Sequence, residues 1–428
     1  MTHHVILGAG PAGVIAAETI RKHAPNDSIT IVGDEPEPPY SRMAIPYLLM
    51  GNIDESGTYL RKSADHFADL KVNMLPAQAI RVQAATKTIA LSDGQTLVFD
   101  KLLIATGSHP SRPPIPGIDS AGVHPCWTLQ NARDIMALAK PGARVLQMGA
   151  GFIGCIIMEA LAARGVKLSV VEMGDRMVPR MMGPTAGGMI RDWCEAKGVA
   201  VFTGTKVEAI EPGTPLKVRL SNGQMLEADL VISATGVRPA IGFLEGSGIT
   251  CLQGVLTDAA MQTNVPGIYA AGDCAEAFDK VSGKTIVSAI QPNAVEQARV
   301  AALNMVGQQA SLKGVTQINV LDTLGMISSS FGNWEGVPRA EGGDHAELTD
   351  KAAGRHLSLQ FKGDVLIGCN SVGWTNHVGV MRGLVEGQIK LGPWKEELQR
   401  DPTKLMEAYL ASAQAQGGWS GADDARRR

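Results

Sequence analysis

The sequence is poor in the features that mark disulfide scaffolds, metal proteins and membrane proteins. It has six cysteines in 428 residues, and the nearest two, Cys251 and Cys274, are 23 residues apart, too far for a CxxC redox or zinc motif. No apolar run reaches about 18 residues, and no basic, apolar leader opens the chain. We therefore expect a soluble, cytoplasmic protein with no membrane insertion and no bound metal.

An excess of charge of one sign is also lacking. The 39 Lys and Arg residues nearly balance the 42 Asp and Glu residues, which leaves a net charge of −3. A protein that binds nucleic-acid backbones or anionic lipid needs a basic surface, so we expect no nucleic-acid partner. With 45% hydrophobic residues, a chain of this length predicts about three domains with sizeable cores.

Glycine is abundant, with 49 residues, and its positions carry the main signal. An apolar run from His3 to Leu7 leads into Gly8, Gly10 and Gly13, and a helical pattern and a second β-branched run follow. In a strand, turn, helix and strand unit, these glycines allow a tight turn, the approach of a pyrophosphate and close helix packing. Residues 8–13 are here called the first glycine turn.

An acidic residue is expected after the second strand of such a unit, where it binds ribose hydroxyls. Asp34 and Glu35 both lie there, and the choice between them stays open.

The pattern recurs at residues 149–154, the second glycine turn. The strand Arg144 to Met148 leads into Gly149, Gly151 and Gly154, and the strand after the next helix ends at Glu172. One such turn alone is a weak signal, but two in the same context, each followed by an acid, predict two bound dinucleotides.

Other segments fit this architecture. Two buried-type strands end in Ala105-Thr106-Gly107 and Ala234-Thr235-Gly236, and a third ends in Gly272-Asp273. A helix is predicted over residues 293–306. From about residue 314 the pattern of strands and glycine turns predicts an α+β domain, and the composition of the C-terminal residues predicts a mobile tail.

These motifs, together with Val5-Ile6-Leu7 and Tyr269-Ala270-Ala271-Gly272-Asp273-Cys274, resemble the FAD- and NAD(P)-dependent pyridine nucleotide-disulfide oxidoreductase superfamily over about residues 3–405. The segment from Pro39 to Tyr47 is similar to ferredoxin and rubredoxin reductases, NADH oxidases and the flavin part of nitrite reductases, and it matches none of them fully. The resemblance implies an α/β fold with two Rossmann-like dinucleotide-binding domains, for FAD and NAD, and a C-terminal α+β interface domain.

The implied domains are an FAD-binding domain in two parts (1–116 and 245–313), an NAD-binding domain (117–244), an interface domain (314–405) and a tail (406–428). The residues implied to bind FAD are Gly8, Gly10, Gly13, Asp34 or Glu35, Arg42, Ala105, Thr106, Gly107, Gly272 and Asp273. Those implied to bind NADH are Gly149, Gly151, Gly154, Glu172 and Gly236, with Phe152 near the nicotinamide entry. The alternative interpretations are that Asp273 is a helix N-cap and that Phe152 is helix core.

Two departures from the family pattern bear on the mechanism. Disulfide-reducing members carry a redox cysteine near the first FAD helix, but Met43 occupies the matching position and no cysteine precedes Cys126. Many members pair a Glu with a Lys near the flavin N5. Ile156 stands at the Glu position, and no Lys lies between Lys22 and Lys62. The resemblance therefore implies a less charged catalytic pocket, at Phe152 and Ile156, and no thiol relay.

We expect an FAD-dependent NADH oxidoreductase that passes electrons to a redox partner protein or partner subunit, as ferredoxin and rubredoxin reductases do. The alternatives are an NADH oxidase or a small-molecule or quinone reductase, and, in another class, an FAD- and NADH-binding conformational sensor or interaction protein. Glu172 predicts NADH over NADPH, although Arg176 and Arg180 could bind a 2′-phosphate if one folded back. The interface domain, with Trp374, is expected to form a homodimer or to cover the flavin, and the alternative interpretation of Trp374 is a core tryptophan.

Overall fold

The computed structural model describes residues 1–416, with side chains to residue 412. Contacts within the chain form two compact units. The first comprises residues 1–112, 125–137 and 236–315, and the second comprises residues 113–124, 138–235 and the described chain from 316 onward. No helix among the described residues is both long and apolar enough to cross a membrane.

The first unit is built on a fully parallel five-stranded sheet. In spatial order the strands are Ile268–Ala270, Lys101–Ile104, His3–Leu7, Ser28–Gly33 and Val72–Pro76. Parallel sheets are buried on both faces, which explains why these strands appear in the sequence as nearly continuous apolar runs. Their side chains form the centre of the largest buried cluster of this unit.

Smaller elements surround this sheet. The first unit also contains three minor sheets. Two have three strands each: Ala79–Gln83, Thr88–Leu91 and Thr96–Val98 form one, and Val255–Leu256, Ala275–Phe278 and Thr285–Val287 form the other. The third pairs Ser108–Pro110 with Val237–Pro239. The α-helices of this unit are Pro11–His23, Ile45–Met50, His66–Asp69, Leu129–Leu138, which ends at the unit boundary, and Gln291–Met305. The last of these confirms the helix predicted over residues 293–306, and it packs against Pro11–His23.

The second unit repeats the parallel arrangement. In spatial order its strands are Ala200–Phe202, Lys167–Val171, Arg144–Met148, Leu230–Ser233 and Val123–His124. The helices are Phe152–Ala163 and Pro184–Ala196, and an antiparallel sheet of Val207–Glu211, Leu216–Leu220 and Met225–Ala228 packs nearby. Both predicted strand, turn, helix and strand units are confirmed.

The C-terminal part of the second unit is an antiparallel sheet with helices, as the predicted α+β class requires. In spatial order its strands are Ile318–Thr323, Met326–Gly332, Val365–Val372, Arg355–Lys362 and Gly343–Asp350. The helices are Val378–Gly387, Trp394–Arg400 and Leu405–Gln416. The turn at Leu324 joins this sheet to the parallel part: its N–H donates to Glu159 Oε2 at 2.5 Å, and its carbonyl accepts from Trp193 Nε1 at 3.1 Å.

Two boundaries differ from those expected. The predicted tail at 406–428 begins instead with a helix, Leu405–Gln416, because Leu405, Ala408 and Ser412 recur at helical spacing and are all buried. The rest of the predicted tail, residues 417–428, lies outside the described residues. Residues 125–137, expected in the NAD-binding domain, belong to the first unit.

Candidate functional site

At the first glycine turn, two of the three glycines are required by the protein's own backbone. Gly8 has a φ of +113°, and a Cβ there would lie 2.1 Å from the carbonyl oxygen of Ala105. A Cβ at Gly13 would lie 2.0 Å from the carbonyl oxygen of Gly8. A Cβ at Gly10 would meet no described atom within 4 Å, chain neighbours aside. The helix begins at Pro11 without a side-chain cap, so its first N–H groups remain free to bind an anion beside Gly10.

The second glycine turn has the same geometry. Gly149 has a φ of +95°, and a Cβ there would lie 2.4 Å from the carbonyl oxygen of Ala234. At Gly154 a Cβ would lie 2.5 Å from the carbonyl oxygen of Gly149. Around Gly151, which caps the next helix without a side-chain hydrogen bond, no described non-neighbouring atom lies within 4 Å of a Cβ position. Both turns therefore leave space for a phosphate at the middle glycine.

The two acids after the strand Ser28–Gly33 occupy different environments. Asp34 is exposed, whereas Glu35 is half-buried. Glu35 Oε1 accepts from Arg42 Nη2, and its Oε2 accepts from the Tyr40 hydroxyl, each at 2.5 Å. Tyr40 is buried, and this burial raises the pKa of its hydroxyl. Glu35 is thus held in one orientation by two neighbours.

Arg42 lies between two aromatic rings. Its guanidinium carbon is 5.4 Å from the ring centroid of Tyr40 and 5.3 Å from that of Trp127, within the range of cation–π attraction. Its Nη1 also donates to the Trp127 carbonyl oxygen at 2.8 Å. The Trp127 ring is fixed in turn, because its Nε1 donates to the Ser108 carbonyl oxygen at 3.0 Å.

The same series of contacts ends at Asp273, whose Oδ2 accepts from the Ser108 hydroxyl at 2.8 Å. Burial raises the pKa of the Asp273 carboxyl, and the Ser108 hydrogen bond and the charge of Arg42 offset that rise only in part. Asp273 precedes a strand and not a helix, so the N-cap alternative is wrong. A half-buried carboxyl whose Oδ1 has lone pairs to spare fits a cofactor hydroxyl.

The neighbouring Gly272 has a φ of +84°, and its N–H donates to Gln297 Oε1 at 2.8 Å. Gln297 is fully buried, and its Nε2 finds no acceptor among the described residues. Since buried donors in native proteins are almost always paired, this orphan amide beside Gly272 fits a site that holds a polar group.

The turns at residues 105–107 and 234–236 contain a side chain bonded to the protein and glycines with free space around them. The Thr106 hydroxyl donates to the Ala240 carbonyl oxygen at 2.8 Å, and Ala240 N donates to the Gly107 carbonyl oxygen at 2.9 Å. Gly107 and Gly236 have φ values of +67° and +102°, with no described non-neighbouring atom within 4 Å of a Cβ position. These contacts commit the Thr106 hydroxyl to the protein, so the glycine backbone is the part left open to a cofactor.

In the second unit, Glu172 is buried and its carboxylate is oriented by backbone N–H groups. Oε2 accepts from Ala150 N, within the glycine turn, and Oε1 accepts from Gly174 N, each at 2.7 Å. A carboxylate has about four lone-pair positions, so both oxygens can still accept from ribose hydroxyls. The carboxylate is therefore held at the edge of the second glycine turn.

Phe152 and Ile156 lie in the first and second turns of the helix that follows this glycine turn. Four residues apart, they share one face of the helix, and both are half-buried. Neither is enclosed in the protein core, and the catalytic role assigned to them stays a prediction.

All six cysteines lie within the described residues, and all are free thiols. Burial raises the pKa of the Cys126 thiol to about 12, and it also raises the pKa of Cys155, Cys194 and Cys369. Since thiol exchange requires a thiolate, these side chains are poor redox nucleophiles. Met43, at the position of the family's redox cysteine, is 51% exposed.

Sequence reasoning missed Trp127, Ser108 and Gln297. Trp127 lies just before the helix Leu129–Leu138 and carries no motif, and it contacts Arg42 across 85 residues of sequence. Tyr40, which also contacts Arg42, differs from these residues because it stands in the family-like segment from Pro39 to Tyr47, and this segment is a signal in the sequence.

Comparisons with known proteins agree with this geometry. The family model described as pyridine nucleotide-disulphide oxidoreductase matches residues 2–302. The chain is 33% identical to the epsilon subunit of NADH-dependent phenylglyoxylate dehydrogenase from Aromatoleum evansii, over 94% of this chain and 95% of that protein. It is 30% identical to an NADH oxidase from Methanocaldococcus jannaschii, over 86% and 87% of the two chains.

A crystal structure of the covalent putidaredoxin reductase–putidaredoxin complex shares the fold, with a TM-score of 0.88 and 23% identity over 96% of this chain and 99% of that chain. The two glycine turns, the acids that follow them and these full-length similarities lead to one assignment. The chain belongs to the pyridine nucleotide-disulphide oxidoreductase family, as an FAD-dependent NAD(P)H oxidoreductase.

Proposed function

We propose that this chain takes electrons from NADH and delivers them, by way of FAD, to a redox partner protein or to a neighbouring subunit of a larger oxidoreductase. The observation that carries the proposal is the similarity, over nearly the whole length of both chains, to a subunit of an NADH-dependent dehydrogenase. In this proposal the chain hands electrons to other chains and does not need its own organic substrate. When bound, FAD supplies the chemistry, since it accepts a hydride and releases electrons to an acceptor.

The first unit supplies the FAD site in this proposal. The free N–H groups beside Gly10 bind the pyrophosphate, and Glu35 is favoured over the exposed Asp34 for the adenosine ribose because Tyr40 and Arg42 orient it. Asp273 binds a hydroxyl or the pyrophosphate side of the cofactor. The stacked Arg42 places a positive charge near these groups, which favours the anionic pyrophosphate.

The second unit supplies the coenzyme site. Glu172 accepts hydrogen bonds from ribose hydroxyls, while its charge repels the 2′-phosphate of NADPH. In a partly dry site that repulsion costs on the order of a few kcal/mol, so we assign NADH as the coenzyme. Phe152 and Ile156 contribute an uncharged surface at the nicotinamide end.

The cysteine positions support a partner protein as the acceptor. Met43 takes the place of the family's redox cysteine, and burial raises the pKa of Cys126 and of Cys155, which lies beside the second glycine turn. A disulfide substrate therefore has no thiolate to exchange with.

The second candidate function, an oxidase, is supported by the similarity to the Methanocaldococcus NADH oxidase. The homodimer and the cytoplasmic location stay predictions.

Replacement of Asp273 by Ala should release FAD, because an anchoring hydrogen bond disappears and buried partners are left unpaired. We expect the FAD content of the purified variant, read from visible absorbance, to fall about tenfold or more at equal protein concentration. Gly10→Ala should do the same without lowering the thermal stability of the apoprotein, since its Cβ has room in the protein alone.

The control is Asp258→Ala, which removes an exposed carboxylate of the same unit that accepts from Ala260 N and Gln262 N. It should keep its FAD. Full FAD retention in both Asp273→Ala and Gly10→Ala would show that the site is misplaced.

Replacement of Glu172 by Gln removes the charge that disfavours NADPH. The ratio of kcat/KM for NADH to that for NADPH should fall about tenfold or more, measured in steady state with both coenzymes. Glu195→Gln, on the exposed side of the helix Pro184–Ala196, should leave the ratio unchanged. Equal kcat/KM values for the two coenzymes in the unmodified enzyme would refute the role given to Glu172.

The route of electron exit distinguishes the two candidate functions. After reduction with NADH in a stopped-flow mixer, the enzyme should be reoxidised rapidly by a one-electron acceptor, such as ferricyanide or cytochrome c, and slowly by air. Rapid reoxidation by oxygen alone would favour the oxidase, and NADH consumption that depends on a disulfide would contradict both.

A further inference from the structure

Residues 173–183 connect Glu172 to the helix Pro184–Ala196 and are here called the specificity loop. The loop folds back on the second glycine turn, where Val178 N donates to the Ala150 carbonyl oxygen at 2.8 Å. Ala150 N meanwhile donates to Glu172 Oε2. The loop and the carboxylate therefore hold the same residue of the turn, and a shift of one would displace the other.

Arg176 is fixed inside this loop. Its Nε donates to the Met182 carbonyl oxygen at 2.8 Å, and its Nη2 donates to the Pro179 carbonyl oxygen at 3.2 Å. Its Nη1 forms an ion pair with Asp175 at 2.7 Å. Gly187 leaves room for the arginine, since a Cβ there would lie 2.9 Å from Arg176 Cγ and Cδ. While these bonds hold, this guanidinium is not available to a 2′-phosphate.

The C-terminal end of the specificity loop is hydrogen-bonded to a residue of the C-terminal sheet. Asn370, on the strand Val365–Val372 of the C-terminal sheet, accepts at Oδ1 from Gly183 N at 2.8 Å. Its Nδ2 donates to the Met181 carbonyl oxygen at 2.9 Å and to the Cys369 carbonyl oxygen at 3.2 Å. Asn370 is 3% exposed, so one buried amide satisfies a backbone donor and a backbone acceptor of the loop.

We infer that Asn370 is a positioning residue for coenzyme selectivity: the C-terminal sheet, through this amide, holds the specificity loop in the arrangement that presents Glu172 and withholds Arg176. This inference rests on the proposed assignment of Glu172 to the NADH ribose. Without the amide, the carbonyl of the buried Met181 and the N–H of the half-buried Gly183 lose their partner, which favours displacement of the loop toward water. Displacement frees Arg176 from the Met182 carbonyl and loosens the Val178 contact with the turn.

The test is Asn370→Ala in the FAD-loaded enzyme, with NAD⁺ and NADP⁺ binding measured by titration calorimetry. The Kd for NAD⁺ should rise about fivefold, and the preference for NAD⁺ over NADP⁺ should shrink by a similar factor. The kcat at saturating NADH should stay within about twofold, because no atom at the reacting end is touched. Hydrogen exchange should quicken at the amides of Val178 and Gly183.

Asn370→Asp keeps the size of the side chain and the acceptor for Gly183 N, but it loses the donor to Met181 and Cys369 and turns a carboxylate oxygen toward their carbonyl oxygens. It serves if the alanine variant does not fold, and a shift in the same direction is expected. The matched control is Ser371→Ala, which breaks a buried 2.6 Å hydrogen bond to Ser329 on the same sheet, a bond in which no loop residue takes part. Its thermal stability should fall while NAD⁺ binding and loop exchange stay unchanged.

Unchanged binding and exchange in both Asn370 variants would overturn the inference, and so would equal losses of NAD⁺ affinity in Asn370→Ala and Ser371→Ala. If coenzyme selectivity is lost in Glu172→Gln but kept in Asn370→Ala, the role inferred for Asn370 is overturned and the proposed coenzyme site stands. Selectivity kept in Glu172→Gln would instead overturn the proposed coenzyme site.

Discussion

The close approach of backbone to backbone at the two glycine turns is the constraint on which the rest of the structure depends. At Gly8 and Gly13, and again at Gly149 and Gly154, a single added carbon would overlap a carbonyl oxygen at 2.0 to 2.5 Å. Helix, strand and turn can pack this tightly only without side chains. The middle glycine alone stays open, so the packing that stabilises the fold also creates the space for a phosphate.

In the first unit, the acids Glu35 and Asp273 are oriented by residues outside the glycine turn. Glu35 is oriented by Tyr40 and Arg42, and contacts through Trp127 and Ser108 connect that group to Asp273. Each hydrogen bond of this kind contributes on the order of 1 to 3 kcal/mol net. Their larger effect is to reduce the number of orientations that each charged group can adopt before a cofactor binds.

The sequence was sufficient to predict the parts of the structure that depend on local spacing. Strand, turn and helix follow one another within about 30 residues in a dinucleotide unit, so the glycine spacing and the flanking apolar runs predicted both units. The contact of Asn370 with Gly183 spans 187 residues, and no local pattern reports such a pairing. The helix after Leu405 was missed because its Ala- and Gln-rich composition suggested disorder, although these residues also favour helix where one face can be buried.

We assign FAD as the single redox centre of this chain, with no thiol pair working beside it. The decisive test of this claim is an anaerobic titration of the FAD-loaded enzyme with NADH, followed by visible absorbance. A hydride carries two electrons and FAD accepts two, so reduction should be complete at one equivalent of NADH per FAD, with no further NADH consumed. An end point at two equivalents would contradict the claim, because the additional two electrons would require a disulfide.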